Sequence, residues 1–135
     1  MTLTIGKVAT LSNVTADALR YYEREGLIRP TAKSSGGYRL YDDDAVRRVR
    51  FIKEAQHCGF TLTEIRDLLT LRASTEACCR DVRRIALEKK LQLAAKVKAM
   101  RGMSKALDRL IAACSGGSRS LDDCPILATL EKGPL

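Results

Sequence analysis

Apolar residues in the first part of the chain recur at helical spacing, in short runs cut by polar breaks. Ile5, Val8, Ala9 and Leu11 share one face of a first helix that Thr4 can cap. Ser12-Asn13-Val14 breaks the pattern, Thr15 can cap a second helix, and Gly26 suits the position just past its end. Two short helices joined so tightly form a helix-turn-helix, whose second helix is built to enter the major groove of DNA. Beyond Pro30 the period changes. Gly36-Gly37 signals a hairpin turn, and Tyr38-Arg39-Leu40-Tyr41 alternates like a short strand. The prediction is a wing, a two-stranded β-loop with Lys33, Tyr38 and Arg39 at or near its tip.

Helical spacing then returns. Asp42 to Asp44 can cap a third helix with the stripe Val46, Val49, Phe51, Ile52 and Ala55, closed by Gly59. Thr61-x-x-Glu64 has the form of a capping box and opens a fourth helix to about Leu71. Residues 73–79 form a connector. From Asp81 to Ala113 only Gly102 could interrupt a helix. Val82, Ala86, Leu93, Val97, Met100, Ser104, Leu107 and Ile111 repeat near a 3.5-residue period, with Arg84, Lys89, Lys96, Lys98, Lys105 and Arg109 on the opposite face. The small preceding domain cannot cover so long a helix. Its narrow apolar seam predicts a partner helix.

The cysteines sharpen that expectation. Cys79 and Cys114 stand at the two ends of the long helix, roughly 50 Å apart at its usual rise. A disulfide needs Cα atoms within about 7 Å, so no bridge joins them within one chain. In an antiparallel homodimer with Cys79 beside the partner's Cys114, Val82 meets the partner's Ile111, Ala86 the partner's Leu107 and Leu93 the partner's Met100. One register buries the seam and gathers Cys79, Cys114 and Cys124 from two chains. Gly116 and Gly117 let the loop after Cys114 fold over an ion. Three thiolates in one place call for a soft cation; the competing reading is that each cysteine is a small buried hydrophobe. Cys58 is expected to pack, His57 to be a helix-end residue, and Cys78 to be a spare ligand or a neighbour of the site.

Composition narrows the class. The 135 residues suit one domain, or two small ones sharing a dimer interface. Few aromatics and no Trp favour a mainly α protein. No signal peptide or membrane span is evident, so the expected location is cytoplasmic, where five cysteines stay reduced. A net charge of +8 fits a nucleic-acid or other anionic partner. Residues 1–75 hold 12 Lys/Arg against 9 Asp/Glu, and residues 76–135 hold 12 against 7, so charge alone does not locate the contact. With one His and no phosphate-binding glycine loop, no enzymatic reaction suggests itself.

The segments TIGKVA, ALRYYEREGLI, GGYRLY, RRVRFIKEAQHCGFTLTEIRDLL and CPIL resemble the MerR family of metal-responsive transcriptional regulators, in order and over nearly the whole chain. The resemblance implies a winged helix-turn-helix domain with a helical linker pair (1–75), an antiparallel coiled-coil dimerisation helix (76–113), and a metal-binding loop with a short C-terminal helix (114–135). It implies that Thr15, Ala16 and Arg20 face the major groove and that Arg20 and Tyr21 contact phosphates or base edges. Tyr22 would support the helix from behind, and Tyr38 and Arg39 would grip the backbone. Cys79, Cys114 and Cys124 match the family's metal ligands, with Cys78 a further candidate. Such dimers bind promoter DNA with an overlong spacer. They repress without metal and, with it, distort the DNA so that RNA polymerase engages.

The metal follows from departures within the family. Copper(I) sensors resemble a version with Ser where Cys79 stands, and zinc sensors carry Cys and His where this chain has Ser115 and Arg119. Three thiolates suit mercury(II), then lead(II) or cadmium(II). Asp122, Asp123 or Cys78 could complete a site for zinc(II) or cadmium(II). Other classes are a redox or iron–sulfur sensor, which needs a tighter cysteine cluster, a drug-binding relative, which needs a larger C-terminal domain, and a metal-stapled structural dimer without a sensing role.

Overall fold

Side-chain caps set the first helices. The computed structural model describes residues 2–134. Strand β1 (Leu3–Thr4) leads into helix α1 (Ile5–Ser12), where the Thr4 hydroxyl accepts from the Lys7 amide at 3.2 Å. Asn13 turns left-handed at φ 57° to end it. Helix α2 (Ala16–Arg24) begins with Thr15 accepting from the Ala18 amide at 3.1 Å, and Gly26 follows its end at φ 74°, where a side chain would be strained. Strands β2 (Ala32–Lys33) and β3 (Arg39–Tyr41) form the hairpin. Helix α3 (Asp43–His57) is capped by Asp42, and α4 (Leu62–Ala73) by a complete Thr61–Glu64 capping box. Helix α5 (Cys79–Ala113) is unbroken at Gly102. A 3-10 turn at Leu121–Asp123 and helix α6 (Pro125–Glu131) close the chain.

Two expectations change here. The wing belongs to a three-stranded sheet in the order β1-β3-β2, with Leu3 opposite Tyr41 and Lys33 opposite Arg39. Strand β1 has two residues, too few to show alternation, and its partner lies far along the chain. Helix α5 starts at Cys79 rather than Asp81, because the Asp81 carboxylate accepts from the Cys78 amide at 2.8 Å and satisfies a free donor of the first turn.

Two compact units follow one another, the first ending at Ile85 and the second starting at Ala86. The first is organised around Val8, Leu19, Leu27, Ile28, Tyr41, Val49, Ile52 and Ile65, all fully buried. Each aliphatic side chain among them contributes about 1.5–3 kcal/mol by leaving water. Tyr22 packs against this core and donates from its hydroxyl to Gln56 Oε1 at 2.7 Å, so α2 is tied to α3 as a buried tyrosine requires. In the second unit the seam residues from Ala86 to Ile111 have no counterpart to the first core: Leu93, Val97, Met100, Leu107 and Ile111 are exposed, while Leu110 is buried. Lys89 departs from the charged face expected of it and is buried, which its long methylene stem tolerates.

Candidate nucleic-acid interface and thiol set

Because α2 is held from behind by Leu19 and Tyr22, its other side is free. Thr15, Arg20 and Tyr21 are exposed and Ala16 is half-buried. Arg20 pairs with Asp17 at 2.8 Å, and the Arg24 guanidinium lies over the Tyr21 ring, 5.8 Å from its centroid. On the wing, the turn closes through the Ser34 amide donating to the Tyr38 carbonyl, with Gly37 at φ 84°. Tyr38 is 73% exposed. Arg39 reaches back to α2 and pairs with Glu23 at 2.7 Å.

Two adjoining clefts separate helix and wing. One of about 280 Å³ is lined by Arg20, Glu23, Arg24 and Arg39. The other, of about 330 Å³, is lined by Thr4, Ile5, Arg20, Gly37, Tyr38 and Arg39. The structure therefore brings Arg20, Tyr38 and Arg39 together, whereas Thr15, Ala16 and Tyr21 line neither cleft. Sequence reasoning missed Glu23 and Arg24; their helical spacing from Arg20 was the available signal.

Other cations of this unit serve the fold. Arg50 donates to the Leu11 carbonyl, Lys53 to that of Asn13, Arg48 to that of Leu27, and Arg66 to that of Glu25. They satisfy carbonyls at, or just beyond, the ends of α1 and α2.

The five cysteines are free thiols. Cys79 is exposed at the first residue of α5, and Cys114 and Cys124 are half-buried at the two ends of the loop. Within that loop Gly116 and Gly117 have positive φ, and Arg119 donates to the Asp123 carbonyl at 3.3 Å. Cys124 is followed by Pro125 as α6 begins. Among the described residues, no three His, Cys, Asp or Glu side chains of one chain converge on a point that could hold an ion. Cys78 and Cys79 border a cleft of about 260 Å³ with Phe51, Leu68 and Val82. Cys58 caps the end of α3 and is exposed, not packed as expected, since its amide rather than its thiol serves the helix.

Comparison with known proteins supplies a context for both groups of residues. The chain matches the family description "MerR HTH family regulatory protein" over residues 3–71 and "MerR, DNA binding" over residues 46–110. It is 35% identical to the HTH-type transcriptional regulator ZntR of Escherichia coli strain K12, covering 96% of this chain and 92% of that one. Identity is 36% to the mercuric resistance operon regulatory protein of Bacillus cereus, over 98% and 99% of the two chains. The fold matches the transcription regulator PbrR691 of Ralstonia metallidurans CH34, solved in complex with lead(II). That match has a TM-score of 0.82 and 33% identity, and covers 95% of this chain and 98% of that one.

Proposed function

Since the chain belongs to the MerR family of helix-turn-helix regulatory proteins, we propose that it is a heavy-metal-responsive transcriptional regulator. It acts as a homodimer on promoter DNA and presents that DNA to RNA polymerase. No enzymatic step belongs to this reading.

The observation that carries it is the placement of three free thiols at turning points of the C-terminal half: Cys79 opens α5, Cys114 follows its last residue, and Cys124 precedes α6. Antiparallel pairing of α5 across residues 79–113 would set Cys79 of one subunit beside the loop of the other, at residues 114–135, and cover Val82, Ala86, Leu93, Met100, Leu107 and Ile111. The donor set fits a thiophilic divalent ion, favouring mercury(II), with lead(II), cadmium(II) and zinc(II) as alternatives. When bound, such an ion neutralises thiolates from two chains and ties them together. Gly116 and Gly117 supply the backbone turn around it, and Arg119 keeps the loop closed through Asp123. Cys78 could add a donor. The relatives named for mercuric resistance and solved with lead(II) support the class of ion.

On the DNA, Thr15, Ala16 and Arg20 face the major groove, Arg20 and Tyr21 contact phosphates or base edges, and Tyr38 and Arg39 grip the backbone. Distorting an overlong promoter spacer costs several kcal/mol, on the order of 1–6, which phosphate contacts must offset.

Competitive titration of the reduced protein with mercury(II), lead(II), cadmium(II) and zinc(II), followed by thiolate charge-transfer absorption, tests the ion. Tight mercury binding with a trigonal signature is expected, at one ion per three-thiol set. A tetrahedral signature with zinc or cadmium would replace mercury as the inducer. Promoter activity that ignores every ion, while the melting temperature rises, would reduce the thiols to a structural staple.

A further inference from the structure

Arg39 and Tyr41 lie two residues apart on β3 and so share the face of the sheet turned toward α2. Glu23 is the α2 residue that meets them. Its side chain is only 17% exposed, against 51% for Arg39, and the two are 2.7 Å apart. Beneath them the Tyr41 hydroxyl is buried without a hydrogen bond of good geometry, within reach of both charges. Arg20 and Arg24 complete the walls of the cleft. A carboxylate among three arginines, on a surface meant for phosphate, works against binding unless it does something else there.

We propose that the cleft between α2 and the wing is a phosphate-gripping unit of Arg20, Arg24 and Arg39, in which Glu23 is a positioning residue that holds Arg39 in register with the recognition helix. A guanidinium has five donors, so Glu23 can hold Nη1 while other N–H groups meet a phosphate oxygen. An arginine ordered in advance loses less freedom when it binds. The negative charge lowers attraction to any duplex, while the fixed geometry favours the one whose backbone runs through the cleft. Glu23 thus exchanges general affinity for selective affinity. This inference rests on the proposed role of the wing in contacting DNA.

The test compares binding to a duplex selected by the protein from randomised DNA with binding to its scrambled counterpart, across a salt series. Glu23→Ala is expected to weaken selected-site binding about tenfold without weakening scrambled binding. Glu23→Gln keeps an acceptor oxygen and should recover most of the loss. Arg39→Ala should lower selected-site affinity and reduce the salt slope by about one unit, and adding Glu23→Ala to it should weaken selected-site binding no further. Equal tightening on both duplexes would make Glu23 a mere repulsive charge. Equal weakening would make it a folding residue, and no change would make it a bystander; each of these overturns the proposal. If Arg39→Ala leaves selected binding and salt slope intact, the reading of the wing as a DNA contact is what fails.

Discussion

The chain up to Ile85 and the chain from Ala86 onward use apolar residues in opposite ways. In the first, Val8, Leu19, Val49, Ile52 and Ile65 cover one another completely. In the second, Leu87, Leu91, Leu93, Val97, Met100, Met103, Leu107 and Ile111 are exposed along α5. One part supplies its own cover, and the other displays what a second surface must cover. Leu93, Val97, Met100, Leu107 and Ile111 share one face of that helix, and an exposed apolar row of this length is the mark of association rather than of a solvated arm.

The contrast can be broken from either side. Ile52→Ala should cost about 2–5 kcal/mol, independent of protein concentration, by chemical denaturation. Leu107→Ala, at a position 55% exposed before association, should cost on the order of 1 kcal/mol per subunit and appear instead as a dimer that dissociates at higher concentration in sedimentation equilibrium. If its effect were concentration-independent, α5 would be covered within its own chain. Thr61→Ala removes one arm of the capping box and should lower stability by about 1 kcal/mol, read by thermal melting. The smallest effect lies at the start of α5. The Cys78 amide, donating to Asp81, holds that carboxyl below the usual carboxylate range. Because the folded value is the lower one, its contribution is full above the ordinary carboxylate pKa and is lost as pH falls through the folded value. The Cys78 amide resonance should follow that titration, and Asp81→Asn should abolish it.

Local chemistry was legible from the residues alone. Thr4, Thr15, Asp42 and Thr61 cap the helices they were expected to cap, because a side-chain acceptor three residues from an amide acts locally. What escaped was non-local. The pairing of β1 with β3 and the carbonyl partners of Arg48, Arg50, Lys53 and Arg66 depend on elements distant in sequence. Glu23 escapes for a related reason: a carboxylate on an amphipathic helix looks like solvated surface until its partner is seen. The thiol set is readable as a list, while the described residues of a single chain do not gather it.

Pairing of Leu3 with Tyr41 also has a kinetic side. It closes a loop around the whole helix-turn-helix, at an entropic cost on the order of 3 kcal/mol. A two-residue strand with bonds worth about 1 kcal/mol each cannot meet that cost unaided. The helices must first bring the loop's ends together, so this strand docks late in folding and frays early in unfolding. Amides of β1 should therefore exchange with solvent well before those inside the helices that the pairing encloses.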